Sequence, residues 1–312
     1  MSKKFDLNEY KKSIQSADTP LKPDLFITLN DALQAVLGLP GLPLGHINMI
    51  FGLSDSGKTS LVLHSVAQAQ KMGILPVLIL TEGKFSPERA QLMGVDPDNC
   101  IIEYVQYLED IFVKIDRITS DVTMGVLPKN VMIFVDSIGN TVSIDSVTEN
   151  KDGTTETGGA MMKAAKVLRE KLRVFSHKIN NTRKISSPYF VGLTFVNHAY
   201  TQPPKFPGAP SSIVPYGGDA IWYASSLVIR TKKGKTLKAT VSGQEKGFGI
   251  ISKLTVDKNH ISNVTNTGEF IVVADTIIAH DDKVLKEYKE KNKENGSTLK
   301  LRINYDDGIY KC

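Results

Sequence analysis

Runs of apolar residues recur along the chain, separated by stretches whose apolar positions follow helical spacing. A strand that is covered by helices on both faces needs apolar side chains on both, so such runs predict buried strands of a mostly parallel sheet. The fold class that we predict is therefore α/β, with a mostly parallel, twisted sheet and helices on both faces. The runs are His46–Phe51, Ile74–Leu80, Val131–Val135, Tyr189–Val196 and Leu227–Ile229.

The segments around these runs predict shorter elements. Leu25–Leu29 is typical of a short strand, and Asn30–Leu37 of a helix. Polar and apolar residues alternate in Lys253–Val256 and Leu299–Tyr305, which predicts half-exposed, antiparallel edge strands towards the C-terminus. The charged segment Asp281–Gly296 predicts a solvated helix that ends at its glycine.

Two long stretches interrupt this compact pattern. Ser143–Gly159 is polar and rich in glycine and threonine, and Tyr200–Gly218 is rich in proline and glycine. Loops of this length inside a compact domain usually carry function or lack order. Taken alone, the two stretches fit either interpretation.

Composition and charge narrow the class of protein. The chain has 312 residues and a formal net charge of +5, which permits a polyanionic partner without requiring one. Its two cysteines, Cys100 and Cys312, indicate neither a disulfide framework nor a cysteine metal site. No run of about 18 apolar residues occurs, and the N-terminus lacks the apolar core of a signal peptide. We therefore expect a cytoplasmic protein with no membrane partner.

The residues Gly52–Thr59 read GLSDSGKT and match the phosphate-binding pattern G-x-x-x-x-G-K-[ST]. Its glycines let backbone N–H groups turn towards the phosphates, Lys58 supplies a positive charge, and the Thr59 hydroxyl is a magnesium ligand. The motif lies between an apolar strand and a helix, which is the context that this chemistry needs. The nucleotide contacts that we predict here are Gly52, Ser54, Asp55, Ser56, Gly57, Lys58, Thr59 and Ser60.

Two carboxylates complete a predicted site for ATP and Mg²⁺. Asp136 follows five apolar residues, so we expect it at the carboxyl end of a strand as the second magnesium ligand. Glu82 follows the strand Ile74–Leu80 and is a candidate general base for the attacking water. A carboxylate after a strand also often caps a helix, and the spacing does not decide between the two. The predicted catalytic residues are Glu82, Lys58 and Asp136.

Five blocks together resemble the RecA-type DNA recombinases, and most closely the UvsX-type recombinases of tailed phages. In chain order they read GHINMIFGLSDSGKTSL, LILTEGKFSPERAQLMGVDPDN, VMIFVDSIGN, FVNHAY and YGGDAIWYASSLVIR. The resemblance covers about three-quarters of the chain, and the second and fourth blocks are its most specific parts. It implies a RecA-like ATPase core that assembles as a helical filament on DNA, with ATP at the subunit interfaces.

The resemblance also implies roles for single residues. Glu82 is then the catalytic carboxylate, and Asn197 with His198 is a polar pair that senses the γ-phosphate. Lys258 and His260 lie in a segment that reaches ATP on the adjacent subunit, and Arg89 stands where relatives stack a tyrosine on adenine. Each also has a simpler interpretation, namely a core histidine for His198, an exposed turn for Lys258 and His260, and a solvated helix for Arg89.

The resemblance places DNA-binding loops at the two long stretches, with both single-stranded and double-stranded DNA as partners. Basic residues recur at helical spacing after the first loop and could line the filament axis, although a solvated basic face explains them equally well. The predicted DNA contacts are Lys163, Lys166, Arg169, Lys205, Gly217 and Gly218. Single-strand-binding and mediator proteins are further partners that the family implies.

The predicted domains are an N-terminal oligomerisation segment (residues 1–29), a RecA-like ATPase core (30–261) and a C-terminal part (262–312). The last comprises an inserted charged hairpin and helix and a final edge strand. The resemblance implies elements beyond Cys312, so the chain is either cut short there or a compact natural form. The function that we predict is an ATP-dependent recombinase. The alternative is a RecA-fold accessory ATPase, either a recombination mediator or a helicase-like motor, without strand exchange.

Overall fold

A computed structural model describes residues 6–14, 20–83, 85–144, 160–204, 206, 208, 211–216, 219–241 and 244–294. The strands in these ranges are β1 Phe26–Thr28, β2 Gly41–Pro43, β3 Ile47–Gly52, β4 Leu75–Leu80, β5 Ile101–Tyr104, β6 Val131–Asp136, β7 Val191–Gln202, β8 Ser212–Pro215, β9 Leu227–Val241, β10 Gln244–Asn259, β11 Thr267–Val273 and β12 Ile277–Ala279. The helices are α1 Leu7–Ile14, α2 Asp31–Leu37, α3 Lys58–Lys71, α4 Pro87–Leu92, α5 Leu108–Thr123, α6 Ala160–Asn181, α7 Ala220–Ala224 and α8 Asp282–Glu294.

One ten-stranded sheet forms the centre of the molecule, in the order β12-β11-β10-β9-β3-β7-β6-β4-β5, with β8 paired to β7. Within this order, the strands from β9 through β3, β7, β6 and β4 to β5 run parallel to one another. On its other side β9 pairs antiparallel with β10, and β10, β11 and β12 continue antiparallel. The predicted α/β class, with antiparallel strands towards the C-terminus, is therefore confirmed.

Two apolar cores hold the parallel strands from opposite faces. One packs β-strand residues such as Ile50 and Phe134 against α2 and α3, and the other packs Met49 and Phe195 against α5 and α6. Each fully buried side chain of this size contributes about 1.5–3 kcal/mol. Burial on both faces explains the continuous apolar runs, and it fixes the carboxyl ends of β3, β4, β6 and β7, where polar residues follow.

Strand β7 is longer than predicted. We expected a strand that ends at Val196, but the ladder continues to Gln202, where it pairs antiparallel with β8. The pairs run from Ala199 opposite Pro215 to Gln202 opposite Ser212. Backbone hydrogen bonds to β8 therefore extend the strand beyond its apolar part, and some of the predicted second loop is a β-hairpin.

The part of the chain after residue 261 differs from the predicted inserted hairpin. Strands β11 and β12 join the main sheet, and Phe270 and Ile271 are fully buried in it. Lys253–Val256 belongs to β10, which lies between β9 and β11 and is not an edge strand. The predicted charged helix is present as α8. The predicted strand Leu299–Tyr305 lies outside the described residues.

The segment before residue 30 is partly integrated into the core. Strand β1 pairs with β2, and Ile27 and Leu29 are buried in the same core as α3. Phe26 packs partly buried against that core. Among the helices that the structure describes, none has the length and apolar character that a bilayer crossing requires.

Candidate nucleotide-binding and hydrolysis site

The phosphate-binding motif forms the turn between β3 and α3. A Cβ atom on Gly52 would lie 2.3 Å from the carbonyl oxygen of Thr231, so only glycine fits beside β9. Asp55 and Gly57 have φ angles of 56° and 90°, in the left-handed region. Such a backbone turns successive N–H groups towards one point, and α3 begins there at Lys58. The loop therefore has the geometry of an anion-binding site.

Lys58 points into this loop. Its ammonium is buried and donates hydrogen bonds to the carbonyl oxygens of Gly52 and Leu53, at 3.0 and 2.8 Å. Burial lowers the pKa of the ammonium, while the charges of Asp136, Asp55 and Glu82 oppose that shift. A buried cation with only carbonyl partners is well placed to bind an incoming phosphate.

Asp136 ends strand β6 within reach of the loop. The Thr59 hydroxyl donates to its Oδ2 at 3.3 Å. Burial raises the pKa of the Asp136 carboxyl, and the charge of Glu82 adds to this, whereas Lys58 and the Thr59 hydrogen bond act in the opposite direction. A hydroxyl and a carboxylate at the start of a phosphate-binding helix are ligands that Mg²⁺ takes together with phosphate oxygens and water. The described residues contain no cluster of three or more His, Cys, Asp or Glu that would hold a metal without a nucleotide.

Glu82 lies beside Asp136, and Ser137 and His198 are among the residues that hold it. Its Oε1 accepts a hydrogen bond from the Ser137 hydroxyl at 2.9 Å and lies 2.8 Å from Nε2 of His198. It does not cap α4, whose N-cap is Ser86. Strands β4, β6 and β7 thus bring Glu82, Asp136 and His198 together, with His198 inside β7 and not at its end.

Asn197 and His198 connect this cluster with the β7–β8 hairpin. The Asn197 side chain is fully buried and donates from Nδ2 to the carbonyl oxygen of Tyr216 at 2.7 Å. The Tyr216 N–H in turn donates to the carbonyl oxygen of His198 at 2.9 Å. A movement of His198 would therefore be passed to the residue that follows β8.

Arg89 lies on α4, beside the start of α3. Its guanidinium donates to the Ser60 hydroxyl at 2.8 Å, so it is held towards α3 and is not a freely solvated side chain. A cavity of about 530 Å³ runs along the loop and is lined by Arg89 and residues 55–60. Neither Gly52 nor Ser54 lines this cavity.

Polar residues of β9 and β10 support the loop, and the motif does not reveal them. The Ser56 hydroxyl lies 2.7 Å from Oγ1 of Thr231, and the Ser252 hydroxyl donates to the Ser56 carbonyl oxygen at 2.7 Å. Thr231 and Ser252 lie on strands far from the motif in the chain, and no local pattern marks them. Ser137 directly follows Asp136 and Tyr216 directly follows β8, but their contacts with Glu82 and Asn197 form only in the tertiary fold.

Lys258 and His260 lie away from this loop. Lys258 pairs in register with Val228 near the start of β9, whereas the loop follows the point where Gly52 pairs with Thr231. The Lys258 ammonium donates to the carbonyl oxygens of Trp222 and Tyr223, at 2.9 and 3.2 Å, and burial lowers its pKa. His260 is exposed. Neither side chain belongs to the same phosphate site as Lys58.

The predicted DNA contacts fall into two groups. Lys163, Lys166 and Arg169 are exposed on α6, whose opposite face buries Leu168 and Leu172. This places a basic face at the helix that follows the first long loop. The other three, Lys205, Gly217 and Gly218, lie outside the described residues.

Comparison with known proteins gives consistent results. Residues 12–279 match the family described as the RecA N-terminal domain, a match that includes β11 and β12. The chain is 28% identical over 262 residues to Protein RecA of Aquifex pyrophilus, covering 84% of this chain and 67% of the relative. It is 29% identical over 242 residues to Protein RecA of Aquifex aeolicus, covering 78% and 63%. With Protein RecA of Acidothermus cellulolyticus it shares 27% over 262 residues, covering 84% and 69%. The aligned region thus spans about two-thirds of each relative.

Proposed function

The chain belongs to the RecA N-terminal domain family, and from this premise we propose that it is an ATP-dependent recombinase that assembles on single-stranded DNA and exchanges strands with homologous duplex DNA. The observation that carries the proposal is the position of Glu82, which is fixed between Ser137 and His198 beside Asp136 and the phosphate loop. A carboxylate held at that point faces the end of a nucleotide whose other phosphates lie on the loop.

In this proposal the residues of the site share the work of hydrolysis. Backbone N–H groups of residues 52–60 bind the phosphates of ATP, and Lys58 exchanges its carbonyl partners for phosphate oxygens. Thr59 and Asp136 would hold Mg²⁺, which supplies charge neutralisation on the phosphates when bound. Glu82 orients and deprotonates the attacking water. Arg89 stacks its guanidinium on the base.

His198 would carry the state of the nucleotide to the DNA. Its imidazole contacts Glu82, and its backbone is bonded to Tyr216 at the end of the β7–β8 hairpin. Charge lost or gained at the γ-phosphate therefore changes the partner of His198 and shifts the hairpin, which lies within the predicted second DNA-binding loop. We also propose the closer likeness to the UvsX-type recombinases of phages, which similarly carry a histidine where RecA has a glutamine.

DNA is proposed to bind along α6 and the two loop regions. Lys163, Lys166 and Arg169 would contact backbone phosphates, together with Lys205 and backbone N–H groups at Gly217 and Gly218. Contacts of this kind are independent of sequence and weaken steeply as salt rises, because binding releases counterions from DNA.

A filament would place ATP between subunits. Lys258 and His260 lie away from their own phosphate loop and would act on the nucleotide of the neighbouring subunit. Residues 1–29 would dock on the adjacent subunit, residues 30–261 would form the ATPase core, and residues 262–312 would complete that core.

Single-strand-binding and mediator proteins would act on such a filament.

Strand exchange between oligonucleotides tests the proposal. The chain is incubated with ATP, Mg²⁺ and a single strand, and then with a duplex whose homologous strand carries a fluorophore beside a quencher. We expect displacement of the labelled strand that requires ATP and is absent with a heterologous single strand. Hydrolysis of ATP on DNA without any displacement would contradict the proposal and assign the chain to the accessory ATPases.

A further inference from the structure

The nucleotide cavity has a second wall that the sequence motifs do not include. Opposite residues 55–60 and Arg89, the cavity of about 530 Å³ is lined by side chains and backbone of β9, β10 and β11. A cavity of this size accommodates a small ligand such as a nucleotide. The residues of this wall are Lys233, Thr236, Gly247, Gly249, Ile250, Val272 and Val273.

Lys233 stands on the face of β9 that packs against the phosphate loop. Thr231, two residues earlier, lies on the same face because side chains alternate along a strand, and its hydroxyl contacts Ser56. Ser252 is the direct cross-strand partner of Lys233 and donates to the Ser56 carbonyl oxygen. Cross-strand partners point to the same face of a sheet. Two neighbours, Thr231 and Ser252, therefore show independently that Lys233 lies on the face of β9 that meets the loop.

Lys233 lies apart from Glu82, Asp136 and His198. Among the described residues, those lining the cavity include Thr59, Ser60 and Arg89 but not Glu82, Asp136 or His198. The cavity thus extends from the loop towards the side where the α-phosphate and sugar of a nucleotide would lie. Lys233 is an exposed cation at this end, and its charge complements phosphate.

We propose that Lys233 binds the α-phosphate of the nucleotide, opposite Arg89, so that the β9–β10 hairpin forms the closing wall of the ATP pocket. This inference rests on the proposed use of ATP and adds a ligand that lies about 175 residues after the phosphate loop. Because the α-phosphate is present in both ATP and ADP and takes no part in cleavage of the γ-phosphate, Lys233 contributes to affinity and not to the chemical step.

The test is equilibrium binding of ATP and ADP to Lys233→Ala without DNA, measured by displacement of a fluorescent ATP analogue. We expect the dissociation constants of ATP and ADP to rise together by about tenfold, which is the scale of one charge-assisted hydrogen bond. At saturating ATP, kcat should remain within about twofold of the value for the unsubstituted chain, because the substitution weakens binding of the ground state and of the transition state equally. Lys233→Arg should restore most of the affinity.

Lys232→Ala is the matched control. Lys232 is the neighbouring lysine, lies on the opposite face of β9 across from Lys253, and does not line the cavity. Unchanged ATP affinity in Lys233→Ala, alongside normal binding by the unsubstituted chain, would overturn the inference and leave the proposed function standing. Weaker ATP binding with unchanged ADP binding would place Lys233 at the γ-phosphate and also overturn it. Failure of the unsubstituted chain to bind ATP would refute the proposed function itself.

Discussion

Lys58→Ala is expected to abolish measurable ATP hydrolysis, with a loss of at least about 100-fold in kcat/KM. The Lys58 ammonium is buried in the phosphate loop, and its hydrogen-bond partners among the described residues are the carbonyl oxygens of Gly52 and Leu53. These partners are exchanged for phosphate oxygens when ATP binds, so the substitution removes the cation that the polyphosphate meets inside the loop. Alanine leaves no charge there and keeps the helix, because alanine has the highest helix propensity.

The measurement is ATP hydrolysis by Lys58→Ala over a range of ATP concentrations, together with its far-UV circular dichroism. Lys71→Ala is the control, because Lys71 is an exposed lysine in the last turn of the same helix. We expect Lys71→Ala to hydrolyse ATP at the rate of the unsubstituted chain. Hydrolysis by a folded Lys58→Ala at more than about one tenth of that rate would show that the loop is not the ATP site.

Glu82→Gln is expected to lower hydrolysis by about 10²- to 10⁴-fold while ATP still binds, because a positioned general base contributes on this scale. Glutamine retains a side-chain oxygen that can accept from Ser137, but it cannot take a proton from water. The substitution also removes the negative charge that raises the pKa of Asp136, so the magnesium ligand becomes easier to ionise. Retained nucleotide binding with lost turnover is therefore the expected combination.

Single-stranded DNA binding separates this variant from a misfolded protein. In the proposed cycle ATP binding favours the DNA-bound state and hydrolysis promotes release. Glu82→Gln should therefore bind a labelled single strand in the presence of ATP at least as tightly as the unsubstituted chain, and dissociate from it more slowly. Glu88→Gln, an exposed glutamate on α4, serves as the control. DNA binding lost together with hydrolysis would indicate a structural role for Glu82.

The phosphate loop could be predicted from sequence because its determinants are local. Gly52, Asp55 and Gly57 set the backbone, and Lys58 and Thr59 follow within a few positions. Glu82 and Asp136 were also predicted, since each stands directly after an apolar run and the carboxyl ends of parallel strands meet at one edge of a sheet. Their partners were not predictable in this way. Ser137, Thr231, Ser252 and Tyr216 act through contacts that only the tertiary fold creates.

The errors in the predicted fold have a common physical cause. The extension of β7 to Gln202 and the entry of β11 and β12 into the sheet depend on antiparallel pairing with the neighbouring strand of the chain, which is β8 for β7, β10 for β11 and β11 for β12. Apolar runs identify strands that are buried on both faces, but a strand with one polar face depends on pairing for its length. Residues 270–273 form a buried apolar run like those of the parallel strands, but no local feature of the sequence shows whether that strand joins the main sheet or a separate hairpin.

The proposed function requires that single-stranded DNA stimulate the hydrolysis of ATP. The unsubstituted chain is assayed at saturating ATP with Mg²⁺, alone and with a deoxythymidine oligonucleotide, over a series of salt concentrations. We expect a several-fold higher rate with DNA, because the effect of DNA binding reaches Glu82 through Tyr216 and His198. The stimulation should decline as salt rises, because DNA binding displaces counterions. Equal rates with and without the oligonucleotide, at salt low enough for DNA to bind, would contradict the proposed function.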